Sequence, residues 1–195
     1  MLRAAPEYVE LHCHSNFSFQ EGASTIEELV GRAQDLGYPA LALTDHDNLS
    51  GALRFARKAK RLDLHPIIGA EVSLGIAHRD AKAGTANGSA SKHAGRASGS
   101  RAEPLPLHLT LLAETPVGYR NLSNLLSLSA TQSDRREPRL DVNLLPTHAD
   151  GIIALSGCAH GPIPQALVAG QWDDARALAK QYLAWFGDRF YLELQ

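Results

Sequence analysis

Residues 40–74 read ALALTDHDNLSGALRFARKAKRLDLHPIIGAEVSL, and this stretch decides the fold. It opens on a short apolar run, 40–44, suited to a buried strand. Residues 49–62 then carry helical periodicity with Arg and Lys on the outer face, and 66–74 is a second apolar run. Strand, helix and strand in close succession make a βα unit, and the same alternation extends both ways. Upstream, Ile26, Leu29, Val30, Ala33 and Leu36 share one face of a helix expected over 24–36. Ser24 and Glu27 stand at capping-box spacing there, and Gly37 can end the helix. Residues 8–12 precede it as a short strand. Downstream, strands are expected at 108–113, 151–155 and 190–194, with helices at 119–128 and 173–186. Repeated βα units imply an α/β fold with a mostly parallel sheet, open or closed into a barrel. A last strand with no covering helix reads as a chain cut from something longer.

The 195 residues suit one domain, and 44% hydrophobic with 21% charged residues is the balance of a globular protein. A net charge of −2 argues against nucleic-acid binding by bulk charge and leaves room for a local basic patch. No apolar run approaches the ~20 residues of a membrane span. MLRAAPEYVELH lacks a signal-peptide core, so the expected location is the cytoplasm. Two cysteines, Cys13 and Cys158, are too few for a disulfide framework. Residues 76–104 are dominated by Ala, Gly and Ser and read as a disordered insertion, with His78 and His93 as solvated loop residues.

Chemistry gathers where strands meet loops. His12-Cys13-His14 places two imidazoles at i and i+2 on an extended segment, on one side, where they can share a metal ion. Taken alone, the pair also fits one buried and one exposed histidine. Asp45-His46-Asp47 follows the ALAL strand, where ionisable groups are costly unless paired or metal-bound; a helix-capping loop is the plain alternative. Glu71 sits inside an apolar strand, where a carboxylate is rarely left without a partner. His108 opens one strand and Cys158 follows another, each unremarkable alone. Together these groups fit one barrel mouth, since strand C-termini carry the site in β/α barrels. His108 fits least well, because it begins its strand. A mixed imidazole and carboxylate set suits two or three ions of Zn, Mn or Fe, and clustered ions suit phosphoester hydrolysis.

HCHSNFSF with QEGAS, LALTDHDNLSGALRFARKAK, PIIGAEVSL, HLTLLAETPVGYRNLSNLLSLS and GIIALSGC occur in an order that resembles the PHP (polymerase and histidinol phosphatase) domain. Within that family the wording is closest to the N-terminal domain of bacterial C-family DNA polymerases of the polymerase III α type, leaning to the error-prone members. The resemblance spans 1–195 outside 76–104. It implies a distorted seven-stranded β/α barrel, with metal ligands at His12, His14, His46, Glu71, His108 and Cys158. Of these, His12, His14, His46 and Glu71 are expected to form the catalytic centre. The family's usual Asp in the turn after the HxH pair is matched by Glu21, one methylene longer. The family's last two ligands, an Asp-x-His pair, lie beyond Gln195, so metal binding weaker than in an intact domain is expected. His160 is either a substitute ligand or a surface residue, and His65 and His148 read as solvated.

The resemblance implies a metal-dependent phosphoesterase acting as a 3′–5′ exonuclease on DNA. Its partners would be DNA, the remaining polymerase domains and replication or mutagenesis accessory proteins, with no membrane. Arg54, Arg57, Lys58, Lys60 and Arg61 could meet a phosphate backbone or form a solvated helix face. Two other functions stay open: a metal-stabilised docking module without catalysis, and a freestanding phosphatase of the histidinol-phosphate type.

Overall fold

A computed structural model describes residues 8–75, 107–133 and 137–194. The low-complexity segment 76–104, with His78 and His93, lies outside the described residues.

The βα unit is present as expected. Strand β1 (Ala40–Leu43) leads through helix α2 (Ala52–Arg61) to strand β2 (His65–Gly75), which pairs with β1 in parallel. Helix α2 buries Ala52, Phe55 and Ala59 and carries Lys58, Lys60 and Arg61 in its last turn, where cations suit the helix dipole. Helix α1 (Ile26–Asp35) packs beside it through Ile26, Val30 and Ala33. Its capping box is formed by Thr25 and Glu28, one residue beyond the expected Ser24 and Glu27. The Thr25 hydroxyl accepts from the Glu28 amide, and the Glu28 carboxylate accepts from the Thr25 amide at 2.7 Å.

The rest of the sheet is mixed, which corrects the mostly parallel arrangement. Strand β3 (Leu107–Ala113) runs antiparallel to β2, and β5 (Ile152–Leu155) runs antiparallel to β3. Between them lie helix α3 (Pro116–Gln132), the two-residue strand β4 (Leu140–Asp141) paired with β2, and the short helix α4 (Leu145–His148). Helices α5 (Pro162–Val168) and α6 (Trp172–Phe186) then carry the chain to β6 (Phe190–Tyr191), parallel to β5. The strand order is β1-β2-β3-β5-β6.

Two expected strands are shorter than the sequence suggests. Residues 8–12 form only an isolated bridge, Glu10 to Leu41. The Ala42 and Thr44 amides still donate to the Glu10 and Cys13 carbonyls, but the Cys13 amide donates to Thr44 Oγ1 and the His12 amide to the carboxylate of Glu10. At the other edge the ladder stops at Tyr191, because the Glu193 amide donates to Ser156 Oγ instead of a backbone carbonyl.

Alternation along the strands separates two faces. Ala70, Val72, Leu74, Leu109, Leu111, Ile152 and Ala154 face the helices and pack on Leu122, Leu125, Tyr182 and Phe186. The opposite, inner face carries an apolar layer of Ala42, Leu112 and Leu155, with Ile67 and Ile153 against it. Above that layer the same face carries Glu71, Ser73, His108 and Thr110, all buried. The sheet curls until its two edges meet, His12 beside β1 and Glu193 beyond β6 standing 2.7 Å apart. The result is a distorted, barrel-like α/β sheet.

Candidate metal centre

The first segment of the site is pinned to the end of β1 by a buried carboxylate. Asp45 accepts from the Ser15 amide at 2.7 Å, from the Ser15 hydroxyl and from the Ser18 hydroxyl. The loop 15–22 is thereby folded back under His12 and His14. Gly22 is required in that loop, because a Cβ there would fall 2.0 Å from the Ser15 carbonyl oxygen. Asp47, in the left-handed region at φ 53°, turns its carboxylate onto the amide and hydroxyl of Ser73. Both aspartates therefore anchor backbone, and His46 between them faces the site.

Glu71 is the centre of the arrangement, with 2% of its surface exposed. Its Oε1 lies 3.3 Å from His12 Nε2, 3.3 Å from His108 Nδ1 and 3.5 Å from Cys158 Sγ. Its Oε2 lies 3.4 Å from His14 Nε2 and 3.8 Å from His46 Nδ1. Glu21, the most exposed of the set, reaches His46 Nδ1 at 2.6 Å and His14 Nδ1 at 3.6 Å. The other nitrogen of His46 meets Ser73 Oγ at 2.7 Å.

The antiparallel direction of β3 explains His108. The start of that strand lies at the same end of the sheet as the last residues of its neighbours, and His108 pairs in register with Ser73. Its ring stands edge-on to His46 with centroids 4.5 Å apart. Cys158 follows β5 through Gly157 at φ 82°, where a Cβ would press on the His108 carbonyl oxygen at 2.8 Å.

Burial and charge set the protonation of these groups. Burial pushes the Glu71 carboxyl upward, but the imidazoles of His108 and His12 outweigh it and hold the group well below the usual carboxylate range. For His12, burial works against protonation, and hydrogen bonds to Glu193 and Glu71 overcome it, leaving the ring pushed up to about 9. His14 is lowered, chiefly by burial, so it presents a neutral ring.

The donor set fits divalent cations. Two groups bring ligand atoms within 4.8 Å of one another, His12 with His14 and Glu71, and His46 with Glu71 and His108. Glu71 belongs to both, as a bridging carboxylate would. The ring nitrogens of His12, His14 and His108 lie 3.3–3.4 Å from the Glu71 oxygens, close enough for these residues to hold a cation with Glu71. His14 Nε2 is buried and makes no hydrogen bond, a buried ring nitrogen that a cation would satisfy.

All seven residues expected as ligands are thus gathered at one end of the inner face, with Glu21 and Cys158 beside the two groups. His160 is exposed, its ring 5.6 Å from that of His108, and belongs to neither group. His65 is exposed at the start of β2. His148 departs from the solvated reading: it is half-buried, and its Nδ1 lies 2.9 Å from the Leu144 carbonyl of α4. Sequence reasoning missed Ser73, Thr110 and Glu193. A carboxylate inside the apolar run FYLEL is the same signal that drew attention to Glu71.

On α2, Arg54, Arg57, Lys58 and Arg61 line a shallow groove with Glu27, Ser50 and Leu53. Arg54 is held by Glu27 through two 2.8 Å hydrogen bonds. Arg57, Lys58 and Arg61 form no ion pair among the described residues. No helix among those residues is long and apolar enough to cross a membrane.

The chain is also similar in sequence to known proteins. The chain is 39% identical over 203 aligned residues to an error-prone DNA polymerase of Symbiobacterium thermophilum, covering 96% of this chain and 16% of the relative. It is 42% identical over 185 residues to an error-prone DNA polymerase of Mycobacterium tuberculosis (94% and 15%), and 38% identical over 193 residues to a DNA polymerase III subunit alpha of Treponema pallidum (98% and 15%). The chain thus spans about one sixth of the length of these relatives. Among solved structures it resembles an amidohydrolase from Chromobacterium violaceum with bound sulfate and no metal. That match has 27% identity and a TM-score of 0.40 over 62% of this chain and 32% of the other. The family model for the PHP domain matches residues 10–195, the span that holds every residue of the site, and the chain belongs to the PHP domain family.

Proposed function

We propose that this chain is the PHP portion of a DNA polymerase III α subunit of the error-prone type, and that the portion is itself a metal-dependent phosphoesterase acting as a 3′–5′ exonuclease on DNA. The carrying observation is Glu71, buried and shared between two histidine pairs at donor-atom spacing. Two to three divalent ions, Zn, Mn or Fe, would be held by His12, His14, Glu21, His46, Glu71, His108 and Cys158. When bound, such ions supply Lewis-acid polarisation of a phosphoryl oxygen and activation of water.

The chain's own residues make the environment for that chemistry. The apolar layer of Ala42, Leu112 and Leu155 closes the floor of the site and keeps water from reaching it from below. Asp45 holds the loop carrying His14, and Asp47 with Ser73 fixes the orientation of His46. Glu21 and His160 stand at the exposed rim of the site. The chain is read as one partial domain spanning 1–195, interrupted in sequence by the low-complexity insertion at 76–104. DNA and the other polymerase domains are the partners, together with replication or mutagenesis accessory proteins, in the cytoplasm.

The test is a pair of measurements on the purified chain. Elemental analysis gives the metal content, and 3′-labelled single-stranded DNA and small phosphate monoesters are offered as substrates with added Mn or Zn. Loss of 3′ nucleotides that disappears in Glu71→Gln supports the proposal. Bound metal with no hydrolysis of either substrate replaces it with a docking role. Hydrolysis of monoesters alone indicates a small-molecule phosphatase.

A further inference from the structure

We propose that Glu193 is a positioning residue for His12, holding the proton on Nδ1 so that Nε2 is presented to the site it shares with Glu71. This rests on the metal-site reading above. The two nitrogens of His12 have unequal partners. Nδ1 lies 2.7 Å from Glu193 Oε1, a short charge-assisted hydrogen bond, whereas Nε2 stands 3.3 Å from Glu71 Oε1. Both side chains of the Glu193 pair are buried, His12 at 7% and Glu193 at 10% exposure, so water competes little for the bond.

The carboxylate is itself held in place. The Glu193 amide donates to Ser156 Oγ at 2.9 Å, and the Ser156 amide donates to the Tyr191 carbonyl, so the segment after β6 is tied to the end of β5. Thr110 Oγ1 sits 3.4 Å from the same His12 nitrogen. Ligating histidines are commonly fixed in this way by a carboxylate on the second nitrogen, which sets tautomer and ring orientation. His14 lacks such a fixed partner: its Nδ1 is 3.6 Å from the more exposed Glu21. The same contact also joins the two edges of the curled sheet, so a role in closing the sheet alone is the competing explanation.

Zinc affinity separates the two. The wild-type chain, Glu193→Gln and Glu193→Ala are titrated with Zn against a competing chelator, with thermal melts of each. Glu193→Ala is expected to weaken zinc binding about 10- to 100-fold. Glu193→Gln keeps an oxygen acceptor for Nδ1–H and is expected to lose less than about tenfold. On the zinc-loaded wild-type chain, ¹⁵N NMR should find the His12 proton on Nδ1. A lowered melting temperature with unchanged zinc affinity in Glu193→Ala would overturn the proposal in favour of sheet closure, as would a His12 proton on Nε2. Should Glu193→Ala fail to fold, Glu193→Gln and the wild-type NMR decide. A wild-type chain that prefers Mn or Fe is titrated with that ion instead; one that binds none of Zn, Mn or Fe would refute the metal site itself, and this role with it.

Discussion

Replacing Glu71 with Gln keeps the side chain's volume and one oxygen but removes the single carboxylate common to both candidate metal groups. The consequence is best read through stability. A ligand at about 100 times its Kd stabilises the folded state by about 2.7 kcal/mol, so two independent ions contribute about 5 kcal/mol. At about 2–4 °C per kcal/mol for a chain of this size, metal removal should lower Tm by about 10–20 °C. In Glu71→Gln both groups lose an anionic ligand. Loss of an outer-shell partner alone costs about 10–100-fold in affinity, and direct ligand loss should cost at least as much. The metal-dependent rise in Tm should then largely vanish. Without metal, the substitution also takes the anion from between His12 and His108, at a cost of about 1–3 kcal/mol. The assay is thermal unfolding of both proteins, chelator-treated and with added Zn or Mn, beside metal content by elemental analysis. A wild-type Tm indifferent to chelator, or a Glu71→Gln protein that retains two equivalents and the full shift, would refute the reasoning.

Three further outcomes are expected. Asp45→Ala strips the partner from the buried Ser15 amide and from the hydroxyls of Ser15 and Ser18; it should cost about 2–4 kcal/mol and raise hydrogen exchange across residues 15–22. Thr25→Ala removes the capping box of α1 and should cost about 1 kcal/mol in denaturant unfolding while leaving metal content unchanged. The metal-free chain should also show a defined pH profile of stability. His12 is raised from the ordinary 6.5 to about 9, so its contribution is fully present below 6.5 and is lost as pH rises through about 9. Glu71 is depressed, so its contribution is present above 4.5 and is lost as pH falls below that. The lowered His14 opposes any further gain below pH 6.5, so urea midpoints should be highest near pH 6.5 and decline towards pH 9; a midpoint that rises from pH 7 to 9 in the metal-free chain would contradict the His12 assignment.

The sequence by itself determined the order of the longer strands and helices and the set of chemical groups, because both are written in local patterns; the short elements β4, α4 and α5 were not among those expected. The apolar runs ALAL and PIIGAEVSL and the 3.6-residue spacing of Ile26, Val30 and Ala33 are properties of neighbouring residues. So is the oddity of a carboxylate inside an apolar strand, which marked Glu71. Strand ends were less legible, since the amides of Cys13 and Glu193 turn to the side chains of Thr44 and Ser156, distant in sequence. Strand direction was not legible at all. A run such as HLTLLA has the same alternation in either orientation, and only its pairing with β2 and β5 makes it antiparallel. That reversal brings His108 to Glu71, though by chain order it stood at the wrong end of its strand. The meeting of His12 with Glu193 across 181 positions likewise exists only once the sheet curls. Period and composition act over a few residues, whereas strand direction and edge closure are set by the packing of the whole sheet.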